Sequence, residues 1–135
     1  MLFLVSFICF MKFFIAEDPA KLMVILKDAA KVVHFLVEGI YLLGPNHVNG
    51  KPHWIQEGDL TAIWYYQAHW MIGPTKDLGK PIGAIYSPDD LGGPHRATSW
   101  NYAKDDKWIE ANDLINVTPG IFDNVLYVSL FHIPT

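Results

Sequence analysis

Ile63-Trp64-Tyr65-Tyr66-Gln67-Ala68-His69-Trp70-Met71-Ile72-Gly73 reads as two short aromatic strands folded back on each other. With Gln67-Ala68 as the loop, Tyr66 faces His69, Tyr65 faces Trp70, Trp64 faces Met71 and Ile63 faces Ile72. Directly opposed residues share one face of a sheet. Ile63, Tyr65, Trp70 and Ile72 therefore lie on one side, and Ala62, Trp64, Tyr66, His69 and Met71 on the other. Both sides are apolar or aromatic, which a single sheet facing water does not tolerate. Three covers are open: a helix over 19–38, closure of the sheet into a sandwich or barrel, or a ligand on the aromatic face. Trp64, Tyr66, His69 and Met71 are accordingly the candidate ligand or partner face.

Outward from this hairpin, punctuation is dense from Pro45 onward: Asn49-Gly50, Gly58-Asp59, Gly73-Pro74, Ser87-Pro88 and Gly92-Gly93-Pro94. Short β-prone runs between these marks form the pattern of an antiparallel meander. The expected strands are 52–57, 60–66, 69–73, 82–87, 97–103, 107–111 and 114–118, with a further strand-like run at 124–133. A second hairpin turns at Asp105-Asp106, whose short polar side chains tolerate a tight turn. It sets Tyr102 opposite Ile109 and Ala103 opposite Trp108.

Toward the N-terminus the pattern changes. Residues 1–16 are almost wholly apolar, about the length of a signal-peptide core and short of the roughly 20 residues of a membrane span. No basic residue precedes the run, and a cut after Ala16 places Phe14 where a small side chain normally sits. Targeting or anchoring is still the expectation, because so apolar a run exposed to water invites aggregation. Asp18-Pro19 then carries a helix-start signal, and Gly39 a stop signal. Between them Lys21, Lys27, Asp28, Lys31, His34 and Glu38 fall on one helical side, with Leu22, Ile25, Leu26, Val33 and Leu36 on the other. The resulting organisation is a signal peptide or anchor at 1–16, an amphipathic helix at 17–39, an aromatic β module at 40–118 and a tail at 119–135.

The series Val48-Asn49-Gly50-Lys51-Pro52, Ile63-Trp64-Tyr65, Trp70-Met71-Ile72-Gly73, Gly83-Ala84-Ile85, Gly93-Pro94, Trp100-Asn101-Tyr102, Trp108 and Ile115-Asn116-Val117 resembles a small module of extracellular and multidomain animal proteins. The likeness covers roughly residues 40–118 and rests on aromatic and glycine positions. It implies an interaction or adhesion-type module and transfers no site residue. Such modules often carry cysteines near the Gly-Pro and final Val positions; here neither position has one, so the bridge is missing.

Composition narrows the function classes. The net charge of −4 and scattered Lys and Arg provide no basic field, which disfavours nucleic acid. The single cysteine, Cys9, lies in the leading apolar run, so no disulfide framework is available. His47, His53, His69 and His95 show no ligand spacing, and Asp89-Asp90 and Asp105-Asp106 lack the alternating oxygens of a calcium loop. Ser87 and Ser99 have no GxSxG context. No cofactor or metal is expected. Trp54, Trp64, Trp70, Trp100 and Trp108 are read first as core, since buried Trp stabilises small sheets. The expectation is a mainly β domain, a small antiparallel meander, sandwich or barrel. It would act as a non-catalytic binding module of a secreted or membrane-associated protein, taking a protein partner or a glycan, with membrane association through residues 1–38. The alternatives are a carbohydrate-binding domain using exposed aromatics and a small uncharacterised enzyme.

Overall fold

The computed structural model describes residues 18–88 and 92–120. The strands are β1 (Lys21–Leu26), β2 (Gly39–Leu43), β3 (Trp54–Gln56), β4 (Thr61–Tyr66), β5 (His69–Pro74), β6 (Ile85–Ser87), β7 (Asn101–Lys104), β8 (Lys107–Glu110) and β9 (Ile115–Pro119). One short helix, α1 (Asp28–His34), runs into a 3₁₀ turn at Phe35–Val37. The strands form one antiparallel sheet in the order β8-β7-β6-β5-β4-β3-β2-β1-β9. The chain is thus mainly β and antiparallel, as its turn-rich pattern implies. The run at 124–133 and the leading run at 1–16 lie outside the described residues.

The sheet curls because its two edges are neighbours in sequence. A flat sheet of nine strands would hold β8 and β9 roughly 38 Å apart. The link 111–114 between them spans at most about 18 Å. Both strands also run in the same direction, since each is antiparallel to its partner, β7 or β1. They are the halves of one bent strand, the first paired with β7 and the second with β1. At the bend, Ala111 N donates to Trp100 O (2.8 Å) and Lys27 N to Leu114 O (2.9 Å), so the bent chain keeps backbone partners on both sides.

Curling creates an interior. Trp54, Ile63, Ile72, Ile85, Tyr102 and Ile109 are opposed in one continuous row across β3 to β8. Leu22, Val24 and Leu26 from β1 and Ile115 and Val117 from β9 close the same cluster. Trp54, Trp70 and Trp100 belong to it and are fully buried. Truncating any of these indoles to Ala costs about 3–5 kcal/mol by general precedent. Against the expected boundary at 39/40, residues 21–43 supply β1, α1 and β2 to this one core.

The helix expected over 17–39 is the main correction. Lys21–Leu26 is a strand whose Leu22, Val24 and Leu26 point inward while Lys21 and Ile25 are exposed. In KLMVIL, Leu22 and Leu26 satisfy both the helical and the alternating period, so the sequence pattern does not separate the two. Pairing does: β1 has β2 on one side and β9 on the other. Gly39 opens β2 and does not stop a helix, and a Cβ there would lie 3.1 Å from Gln56 Nε2.

That contact belongs to a buried polar cluster beneath the turn that follows α1. Gln56 Nε2 donates to the carbonyls of Leu36 (2.9 Å) and Glu38 (3.0 Å), and Thr61 Oγ1 donates to Gln56 Oε1 (2.7 Å). The Tyr41 hydroxyl donates to Val37 O (2.6 Å) and also lies 2.6 Å from Thr61 Oγ1, a pair in which either hydroxyl can donate. Burial pushes the Tyr41 hydroxyl well above the ordinary tyrosine range, opposed by the Thr61 hydrogen bond. The cluster fastens the 3₁₀ turn to β2, β3 and β4. Gln56→Ala strips partners from Thr61 and two carbonyls at once, and unfolding in urea should show a loss of about 2–4 kcal/mol. A loss below 0.5 kcal/mol, on the order of a surface substitution, would remove the cluster from the account of stability.

Both tight hairpins use positive φ at two successive residues: Gln67 (43°) and Ala68 (70°), then Asp105 (52°) and Asp106 (61°). This is the turn whose twist matches the flanking strands. Aspartate tolerates the left-handed region, whereas Ala68 has a Cβ and no side-chain hydrogen bond to offset the strain. Ala68→Gly should therefore raise unfolding stability by about 1 kcal/mol, measured as an upward shift of the thermal midpoint; an unchanged or lower midpoint contradicts the strain.

Candidate functional site

The outer face of β4 and β5 carries the four residues expected to form a ligand surface, and the structure divides them. The hairpin register is the expected one, with Trp64 opposite Met71 and Tyr66 opposite His69. Trp64 is nevertheless fully buried and Met71 nearly so. Two loops cover this pair. The loop 75–84 passes over it, and Trp64 Nε1 donates to Lys80 O (3.0 Å). A Cβ on Gly73 would lie 3.0 Å from Gly83 Cα and 3.2 Å from the Trp64 ring, so glycine permits the loop's close approach. The turn Asn49-Gly50 adds the second cover, as Asn49 Nδ2 donates to Tyr65 O (2.8 Å) and Gly79 O (3.1 Å). Val48, Ile55 and Leu78 fill the space beneath. Trp64 and Met71 are therefore packing residues. The cover is made by loops and not by the helix weighed from sequence.

Beyond the loops the face stays open, and Tyr66 and His69 are half-buried there. They are joined by Tyr86 and Trp108 from β6 and β8. The His69 and Tyr86 ring centres are 5.5 Å apart at 58°. Tyr86 and Trp108 meet edge to face, 4.6 Å apart at 82°. The result is a diagonal ridge of rings crossing strands whose backbones are locked in the sheet. His69 Nδ1 donates to Gln67 O (2.8 Å), which orients the imidazole and leaves Nε2 without a hydrogen-bond partner among the described residues.

Trp108 is the exception among the five tryptophans: it is 49% exposed, while the other four are at most 1% exposed. It lies on an edge strand opposite Ala103, whose small side chain leaves its ring uncovered. Tyr86 was not singled out from the sequence, although Ile85 and Ser87 point inward and alternation turns Tyr86 outward. Asn101 continues the row from Tyr86, and Glu110 sits opposite Asn101. No side-chain hydrogen bond to Asn101, Glu110 or the Tyr66 and Tyr86 hydroxyls occurs among the described residues. Lys104 and Lys107 flank the turn with Asp105 and Asp106, so the charges around the ridge offset one another.

An apolar groove opens at the rim beneath the α1 turn, lined by Val33, Leu36, Val37, Thr61, Pro74 and Ala84 among others. Its volume of about 190 Å³ is below the roughly 300–1,000 Å³ of usual small-molecule sites. Its polar floor, Thr61, is already engaged by Gln56 and Tyr41. Exposed Val32, Phe35 and Leu36 make the same rim apolar.

Among the described residues no three His, Cys, Asp or Glu side chains come together as a metal site. No helix among them is long and apolar enough to cross a membrane. His95 has its pKa held below the ordinary histidine value, chiefly by burial and then by Arg96, with Asp18 opposing. Comparison with family models, curated protein sequences and solved structures finds no match to the chain.

Collisional quenching checks the exposure of Trp108. Acrylamide should reach Trp108 and spare the buried indoles, so Trp108→Phe should leave a blue-shifted emission with little quenching. Equal quenching in the variant would place the accessible indole elsewhere.

Proposed function

We propose that this protein is a non-catalytic binding module that engages its partner through the ridge of Tyr66, His69, Tyr86 and Trp108. The supporting observation is the position of Trp108, half-exposed and braced edge to face by Tyr86, in a domain that buries its four other indoles. Leaving that apolar area in water forgoes roughly 1–3 kcal/mol of burial. Exposed, rigid Trp and Tyr are the side chains that dominate binding hot spots, because they offer large contact area with few torsions to freeze. The ridge stands on strands, and such sites hold their geometry better than sites on loops.

The leading apolar run at 1–16 supports placing this module in a secreted or membrane-associated protein. In that setting the partner is a protein or a glycan outside the cell or at its surface. The balanced charge near Trp108 supports a contact made by shape and ring stacking in preference to long-range attraction.

Capture experiments with the full chain as bait test the reading. Trp108→Ala should weaken partner capture at least about tenfold while the chain stays folded, its melting temperature lowered only by the few degrees that losing the Tyr86 ring contact entails. Undiminished capture by a folded Trp108→Ala chain contradicts the assignment of this surface.

A further inference from the structure

The ridge differs in chemistry from the rest of the exposed apolar surface. Val32, Phe35 and Leu36 at the α1 rim are aliphatic or aromatic with no polar tip. On the ridge each ring carries a polar atom: the hydroxyls of Tyr66 and Tyr86, Nε2 of His69 and the indole N–H of Trp108. Asn101 adds an amide that both donates and accepts, and Glu110 adds acceptor oxygens. These groups lie beside ring faces within one patch, Asn101 directly opposing both Tyr86 and Glu110 in the sheet. From His69 through Tyr86 to Trp108 the ring centres span at most about 10 Å.

A ligand that fits must stack an apolar face on the rings and satisfy hydroxyl-scale hydrogen bonds along their edges. It must also lack a run of negative charge. Nucleic acid stacks on rings too, but it needs a basic track for its phosphates, and Asp105, Asp106 and Glu110 offset Lys104 and Lys107 here. A sheet of apolar protein surface would leave the ridge's polar atoms without partners. A pyranose meets both requirements, with C–H bonds on its face and hydroxyls on its rim.

We infer that the ridge binds a short neutral oligosaccharide, a sugar ring stacking on the exposed Trp108 indole and the hydroxyls reaching the Tyr86 hydroxyl, Asn101 and Glu110. This inference rests on the ridge being a binding surface, and it names the ligand class that surface takes.

The test titrates the full chain, by calorimetry and tryptophan emission, with short oligosaccharides of glucose, mannose, xylose and N-acetylglucosamine, and with heparin fragments as the anionic counterpart. At least one neutral series should bind saturably and perturb Trp108 emission. Trp108→Ala and Asn101→Ala should each weaken that binding about tenfold, and Asn101→Ala, which leaves every ring in place, carries the comparison if Trp108→Ala does not fold. No binding by any neutral series, equal binding of heparin fragments, or wild-type affinity in the folded variants overturns the inference. A partner captured by wild type and lost by Trp108→Ala, with no sugar response, overturns the sugar assignment alone and leaves the binding surface standing. Failure of both capture and sugar binding removes both.

Discussion

Four residues, 111–114, join opposite edges of the sheet, and their length governs the molecule. Because they cannot reach across a flat array, the sheet must roll until β8 and β9 meet. Rolling gives every strand an inner and an outer side. It turns a two-faced aromatic meander, insoluble as an open layer, into a shell around Trp54, Trp70 and Trp100. The backbone groups at the join are satisfied by Trp100 and Lys27, so the bend is not left with unpaired donors inside. One end of the roll is then fastened by the Gln56 cluster, which ties the turn after α1 to three strands.

A roll solves only half the problem, since the outer face of β4 and β5 is still apolar. Here the covering is local: Lys80 accepts from Trp64, Asn49 pins its turn to Tyr65 and Gly79, and paired glycines at 73 and 83 let the chain pass close to the sheet. The cover ends before Tyr66 and His69. From there to Trp108 the rings support one another, with Tyr66, His69 and Tyr86 half-buried and Trp108 exposed. The exposed ridge is therefore the part of the outer face beyond the reach of the two covering loops.

How far this was legible in the sequence varies element by element, for physical reasons. Both hairpins were readable to the residue, because a two-residue turn fixes the register and alternation then assigns each side chain to a face. The partition of Ile63, Tyr65, Trp70 and Ile72 from Trp64, Tyr66, His69 and Met71 follows directly and holds. Lys21–Leu26 was not readable, since Leu22 and Leu26 fit two periods and Asp18-Pro19 imitates a helix start. Only the long-range pairing with β2 and β9 decides it. The site was half readable. Which tryptophan remains exposed depends on β8 being an edge opposite Ala103, and which outer residues are covered depends on where two loops cross. Neither is a local property of the chain.

The ridge's geometry also bears on how strongly so small a patch can bind. Association forfeits roughly 0.5–1.5 kcal/mol for each flexible side chain that must be ordered. Tyr86 is held between His69 and Trp108, and His69 by its bond to the Gln67 carbonyl, so these rings have much of that freedom removed before any ligand arrives. Aromatic pairs in this edge-to-face range contribute about 0.5–1.5 kcal/mol beyond burial, comparable to the ordering cost of one side chain. The same bracing that keeps Trp108 upright in water thus lowers what a ligand must offset on binding. A ridge of the same residues on mobile loops would lack that advantage, and its affinity would fall although its composition did not change. The rigidity of the rolled sheet, set by the short link between its edges, is in this sense part of the binding surface.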